Sequence, residues 1–252
     1  MILRAAILDW AGTTVDHGSL APVAAMQSVF ASFGIDVTAG EIRKSMGLPK
    51  KDHLRAILAA RSGTADVEAL YEAFIPRQLE VLAEHAEVIE GVPEAIDRLR
   101  SRGLKIGSTT GYNRAMLGDL MRRARLQGYS PDCAVCPEDV GGGRPMPWMC
   151  YQAAMLLRVY PLWTIVKIGD TESDIAEGRN AGMWTIAIAR TGNEVGVSRA
   201  EWDAMPAERR AVLLASAWGR LSAADYVVAS VAEADPALDA IEERLARGER
   251  PA

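Results

Sequence analysis

Residues 2–16 read Ile-Leu-Arg-Ala-Ala-Ile-Leu-Asp-Trp-Ala-Gly-Thr-Thr-Val-Asp, and the order of these side chains decides the fold. A mainly apolar, partly β-branched run from Ile2 to Leu8 ends on a carboxylate and a Gly/Thr turn. That pattern suits a strand buried on both faces of a parallel sheet better than a helix. Asp9 then stands at the carboxyl end of the strand, and the turn amides around Gly12 and Thr13 can face an anion. A carboxylate so placed is a nucleophile, a metal ligand, or simply the cap of a turn.

A second stretch repeats the arrangement. Thr164 to Gly169 reads as another buried strand, followed by Asp170 and, four residues on, Asp174. Two strand-end acids in neighbouring loops offer oxygen ligands to a hard cation such as Mg²⁺, which binds through one or two carboxylates and keeps waters that a phosphate can replace. Asp174 taken alone is equally the acidic residue that complements a helix N-terminus.

Between these strands the hydrophobic period changes twice. From Leu20 to Phe33, with Val23, Met26 and Phe30 between, and again over Ile42–Met46, Asp52–Arg61 and Val67–Ala83, apolar residues recur at helical spacing. After Gly91, helices alternate with strands: helix 93–102, strand 104–108, helix 113–125, strand 133–136, helix 147–157, then strand 164–169, helix 173–180 and strand 184–188. This predicts an α/β protein with a doubly wound, parallel, Rossmann-like sheet. Residues 1–18 and 89–252 form the core domain, and residues 19–88 form an inserted all-helical cap domain able to act as a lid. Residues 194–220 read as one or two short helices, 226–228 as a last strand and 236–245 as a last helix.

The 252 residues carry 28 Lys+Arg against 33 Asp+Glu, a net charge of -5, so the chain has no electrostatic footprint for nucleic acid or an anionic membrane surface. Three cysteines cannot build a disulfide framework, and Cys133-x-x-Cys136 lacks the second pair of a zinc site. With no signal-peptide pattern and no apolar run of about 18 residues, a cytoplasmic location is expected.

Two further stretches end at the same sheet edge. Ser108-Thr-Thr-Gly-Tyr112 supplies hydroxyls and amides, and Arg144 follows Gly141-Gly-Gly143, a run that lets backbone bend close to a ligand. Open α/β sheets bind their ligands where such loops gather. Asp-x-x-Gly-Thr, a Ser/Thr after the second strand, a basic residue and Gly-Asp-x-x-x-Asp, in this order, resemble the four motifs of the haloacid dehalogenase superfamily of phosphoryl-transfer enzymes. More narrowly, Asp9–Asp16, Met46-Gly-Leu-Pro-Lys-Lys-Asp-His53, Gly107–Tyr112, Gly143–Tyr151 and Gly169–Asp174 are similar to the phosphonoacetaldehyde hydrolase (phosphonatase) family, over about residues 3–193.

The resemblance implies hydrolysis of the carbon–phosphorus bond of phosphonoacetaldehyde to acetaldehyde and phosphate, in aminoethylphosphonate degradation. Most phosphatases and mutases of the superfamily carry a general acid two positions after the nucleophile; here that position is Ala11. A carbon leaving group needs a different electron sink, and a lysine supplies one by forming an iminium with the aldehyde. By composition a Lys-Lys pair at a helix start is a solvated surface; the family match instead makes Lys50 the Schiff-base lysine, with Lys51 as a like charge that lowers its pKa. His53, three residues on, shares a helical face with it and is placed to shuttle protons.

Asp9 is then the nucleophile that becomes an aspartyl-phosphate. Mg²⁺ is held by Asp9, the Ala11 carbonyl and Asp170, with Asp174 in support. Gly12, Thr13, Thr110, Gly111 and Arg144 bind the phosphonate, while Met46 and Tyr112 line the pocket around the imine. The family also implies a homodimer packed through cap helices, for which the apolar stripe of 20–33 is a candidate surface unless it packs inside the cap. Ser19 stands where relatives often have cysteine, His17 replaces a commoner aromatic, and Pro49 precedes the lysine. A phosphatase or phosphomutase on the same chassis, or a non-catalytic sensor of a phosphorylated metabolite, are the competing readings.

Overall fold

Apolar runs too short for helices and buried on both sides become strands, and their alternation dictates the layers. The computed structural model describes residues 2–61 and 65–251. In it β1 (Ala5–Leu8), β2 (Lys105–Thr109), β3 (Cys133–Val135), β4 (Ile165–Gly169), β5 (Trp184–Ile188) and β6 (Tyr226–Val228) pair in parallel, in the order β3-β2-β1-β4-β5-β6. The period of two splits β1 between two cores. Ala6 and Leu8 join the apolar cluster that includes α5 (Val92–Ser101), α6 (Arg114–Leu126) and α12 (Asp235–Ala246). Ala5 and Ile7 face α8 (Trp148–Leu157) on the other side. β1, covered on both faces, carries only apolar side chains along its length, and the first carboxylate after it marks the sheet edge.

The chain leaves β1 into four helices before returning to the sheet: α1 (Leu20–Ser32), α2 (Ala39–Arg43), α3 (Lys50–Ala60) and α4 (Val67–His85). Val23, Met26 and Phe30 are buried, and α1 packs chiefly on α4. The stripe considered as a subunit surface is therefore consumed inside the insert; its last member, Phe33, is 41% exposed. The two linkers at its base pair with each other, Asp16 N–H donating to Glu87 O (3.0 Å) and Ile89 N–H to Thr14 O (3.0 Å).

One predicted boundary moves for a local reason. The helix expected over 42–46 is α2 at Ala39–Arg43, because Thr38 and Glu41 form a capping box that starts it earlier. The helix that runs through Asp52 opens at Lys50, as the sequence implies, with Pro49 as its N-cap. The 194–220 region holds two helices, α10 (Arg199–Ala204) and α11 (Ala207–Arg220), separated by Met205 and Pro206; α7 (Pro137–Val140) and α9 (Glu172–Asn180) complete the helices. No described helix is long and apolar enough to cross a membrane.

Candidate active site

Strand register brings the chemistry together. Leu8 lies level with Ser108 of β2 and Ile168 of β4, so Asp9, Thr109–Thr110 and Gly169–Asp170 emerge side by side at the carboxyl edge. The narrow cleft there, about 20 Å³, is lined by Asp9, Ala11, Thr110, Arg144 and Asp170 from the core and by Met46, Gly47 and Lys50 from the insert. Backbone of the insert presses on the core at two glycines. A Cβ on Gly111 would lie 2.6 Å from Leu48 O, and one on Gly47 2.5 Å from Thr171 Oγ1. Gly111 thus lets the turn before Lys50 approach β2 closely, and at Gly143 an added Cβ would lie 2.6 Å from the Pro49 ring, so the neighbour this glycine accommodates is Pro49.

Beneath the cleft lies a buried ionic network. Arg144 Nη2 donates to Asp9 Oδ1 (2.6 Å) and sits 2.9 Å from Asp174 Oδ1, while its Nε donates to Glu177 Oε2 (3.0 Å). Lys167 Nζ donates to Asp174 Oδ1 (2.7 Å) and lies 3.5 Å from Glu177. Thr109 Oγ1 also donates to Glu177, and Thr171 Oγ1 to Asp174 Oδ2. Three carboxylates, Asp9, Asp174 and Glu177, thus face Arg144 and Lys167, and Asp170 adds a fourth buried carboxyl beside them with no cation bonded to it, an excess of acid that burial makes costly.

The imbalance falls on Asp170. Burial first, and then the charges of Asp9 and Asp174, push its carboxyl well above the usual range. Its oxygens accept from Thr13 Oγ1 (3.4 Å), Ser19 Oγ (3.1 Å) and Asn193 N–H (2.7 Å), none of them a cation. Burial likewise raises Asp9, with Arg144 opposing it. Asp174 is the exception: burial acts on it most, but Arg144 and Lys167 together outweigh burial and hold it below the usual range. Oxygen atoms of Asp9, Asp170 and Asp174 lie within 4.8 Å of one another. The set fits a hard divalent cation held by Asp9 and Asp170, with Asp174 already committed to Lys167, Arg144 and Thr171.

Lys50 is buried at the first position of α3, its Nζ 4.9 Å from the centre of the Tyr112 ring. Burial lowers its pKa to about 8, with Asp9 raising it and Arg144 lowering it. Lys51 plays no part in that shift, contrary to the reading from sequence: its ammonium pairs with Glu68 on α4. His53 is fully buried; burial and then Lys50 lower it to about 3, so its ring is neutral. With Nε2 donating to Ile42 O (2.6 Å), Nδ1 is the unprotonated nitrogen, and no described group binds it. His53 does not line the cleft, whereas the buried Tyr112 and Met46 do.

Gly12 and Thr13 do not present their amides to an anion. Gly12 N–H donates to Val15 O (2.8 Å) and Thr13 N–H to Trp10 O (3.1 Å), because the turn closes on itself. Thr110 and Gly111 do line the cleft, as does Arg144.

The model of the haloacid dehalogenase-like hydrolases matches residues 6–188. Phosphonoacetaldehyde hydrolase from Nitratidesulfovibrio vulgaris is 44% identical across 99% of this chain and 94% of its own length. The enzyme of the same name from Bacillus cytotoxicus is 46% identical over 81% and 83%. The chain belongs to the phosphonoacetaldehyde hydrolase family of the haloacid dehalogenase-like hydrolases. A solved phosphonoacetaldehyde hydrolase-like protein from Oleispira antarctica superposes with a TM-score of 0.95 at 37% identity, covering 100% of this chain and 96% of its own. A β-phosphoglucomutase from Clostridium difficile, 16% identical over 97% of this chain and 99% of its own, shares the fold with a TM-score of 0.75.

Several residues of the site escape a reading of the sequence. Lys167 carried a signal, a charge in the middle of an apolar strand, which is almost never buried unpaired. Glu177 lies one helical turn beyond Asp174 on α9 and so shares its face. Ser19 and Asn193 give no such signal; they reach Asp170 from 151 and 23 residues away in the chain.

Proposed function

We propose that this chain is a Mg²⁺-dependent phosphonoacetaldehyde hydrolase that cleaves the carbon–phosphorus bond to release acetaldehyde and phosphate. The observation that carries the reading is Lys50, a buried amine brought down to about 8 and set in the same cleft as Asp9, where the residue two positions beyond Asp9 is an alanine. An ester phosphatase needs an acid at that position and has no use for a buried amine.

The chemistry follows from those two groups. The free Lys50 amine adds to the aldehyde carbon and, with loss of water, forms an iminium. Asp9, fixed by Arg144, then attacks phosphorus through a carboxylate oxygen. The C–P electron pair flows into the iminium and leaves as an enamine, and the phosphoryl group remains on Asp9 as an aspartyl-phosphate. Water cleaves that acyl phosphate; protonation and hydrolysis of the enamine return Lys50 and release acetaldehyde. Asp9, Asp170 and the Ala11 carbonyl would hold the divalent cation, which would supply neutralisation of phosphonate charge. Thr110, Gly111 and Arg144 hold phosphonate oxygens, Met46 and Tyr112 exclude water from the imine, and neutral His53, bonded to Ile42 O behind the cleft, positions the start of α3 and with it Lys50. The helices α1–α4 act as a cap over the core. Relatives named for the same aldehyde support the substrate, and the reading places the chain in aminoethylphosphonate degradation in the cytoplasm.

The test is acetaldehyde and phosphate release from phosphonoacetaldehyde with Mg²⁺, comparing the wild type with Lys50→Arg, which keeps the charge but cannot form an imine. Turnover by the wild type and none by the variant is the expected result. A wild type that hydrolyses small phosphate esters but not this aldehyde would overturn the proposal.

A further inference from the structure

The insert touches the core at a second place, and one side chain makes the crossing. Arg43, the last residue of α2, lies half-buried over the loop after β5. Its Nη1 donates to Gly18 O (2.8 Å), Asn193 O (3.2 Å) and Asn193 Oδ1 (3.1 Å), and its Nη2 to Gly196 O (2.9 Å). Asn193 answers with Nδ2 donating to Arg43 O (3.2 Å). No ion pair to Arg43 occurs among the described residues, and its direct partners are three main-chain carbonyls and one side-chain amide oxygen, which fix its direction. A planar fork suits such a seat and a lysine does not.

The core loop is shaped to receive it. Gly196 has φ +65°, and a Cβ there would lie 2.6 Å from Arg43 Cζ. Asn193, gripped on both its side chain and its carbonyl, donates its own N–H to Asp170 Oδ2 at 2.7 Å. On the other side, the turn that follows Arg43 leads through Met46 and Gly47 to Lys50. One arginine therefore stands between the strand-end acid at the heart of the site and the loop that delivers the amine.

We propose that Arg43 is a positioning residue that couples docking of the helical insert to the orientation of Asp170, by fixing the Asn193 peptide whose N–H binds that carboxylate. This rests on reading Asp170 as a cation ligand and Lys50 as the imine-forming lysine. With the insert docked, the same guanidinium anchors the start of the turn that brings Lys50 to the cleft, so both halves of the site are set by a single contact.

Arg43→Ala, Arg43→Lys and Gly196→Ala are compared with the wild type, after thermal melting shows each to be folded. Mg²⁺ binding without substrate is titrated calorimetrically, amide hydrogen exchange is followed at Asn193, and kcat and KM are measured separately. All three variants should bind Mg²⁺ about tenfold or more weakly, the scale of lost outer-shell support, exchange the Asn193 amide faster, and lose more in kcat than in KM. Should Arg43→Ala fail to fold, Arg43→Lys carries the same test. Unchanged Mg²⁺ affinity and unchanged Asn193 exchange in Arg43→Lys overturn the coupling, whatever happens to kcat. A wild type inactive on phosphonoacetaldehyde whose Arg43→Lys variant still binds Mg²⁺ poorly overturns the substrate reading and leaves the coupling standing.

Discussion

Gly111→Ala isolates the fit between insert and core. The added Cβ would stand 2.6 Å from Leu48 O and 3.0 Å from Gly47 O, both main-chain atoms that cannot rotate away. An ordinary contact begins near 3.4 Å, so the turn must withdraw by about 0.8 Å. Gly111 lies outside the left-handed backbone region, so alanine is conformationally acceptable and the clash is the whole perturbation. Lys50 lies two residues beyond Leu48 and moves with it. A displacement approaching 1 Å at a reacting group costs up to about 100-fold in rate, so kcat should fall about 10- to 100-fold. Stability should change little, because the insert relieves the clash by lifting off. The assay is acetaldehyde release coupled to NADH oxidation, with thermal melting alongside. A variant with wild-type kcat would show that the contact at Gly111 does not set the position of Lys50. A large fall in melting temperature would show that the turn cannot move and that the clash is absorbed by the core.

Lys50 at about 8 is roughly one-tenth free amine at pH 7, against about one part in three thousand at its ordinary value. The unprotonated amine is the nucleophile, so imine formation, read as borohydride trapping with phosphonoacetaldehyde, should rise about tenfold per unit below pH 8 and level off above it. A trapping rate that still climbs beyond pH 10 would contradict a depressed lysine. Trapping should place the reduced adduct on Lys50 by mass spectrometry; an adduct on Lys51 would exchange the roles of the two lysines. Lys167→Met removes one of the two cations of the fully buried network and leaves Asp174 and Glu177 short of a partner, so it should cost about 3 kcal/mol in unfolding free energy by urea titration; a loss under about 0.5 kcal/mol would mean that the network is not energetically coupled. Chelation should lower the melting temperature of the wild type and have less effect on Asp170→Asn, which no longer has the carboxylate that the cation relieves.

A carboxylate closing an apolar run, repeated after a second such run, is enough to place Asp9 and Asp170 at one sheet edge, since parallel strands of a doubly wound sheet all end on the same side. The helical insert was equally legible, because its spacing of about 3.6 residues contrasts with the short buried runs around it. Those are local properties, carried by the period of the side chains and by the residues that end each run. The amide geometry of Gly12 and Thr13 was not legible, because a turn can spend its N–H groups on itself or on a ligand, and only the closed hydrogen bonds decide which. The cause of the Lys50 shift was misplaced for a related reason: adjacency along the helix suggested Lys51, but consecutive residues of a helix face different directions, and burial under the docked insert is what disfavours the charge. Lys167, Glu177, Ser19, Asn193 and Arg43 acquire their partners through crossings of 7 to 151 residues. Such contacts depend on the docking of one layer against another, which no local pattern encodes. The sequence by itself thus determined which chemical groups reach the edge, and the tertiary structure decided which of them are charged, which are paired, and which hold the others in place.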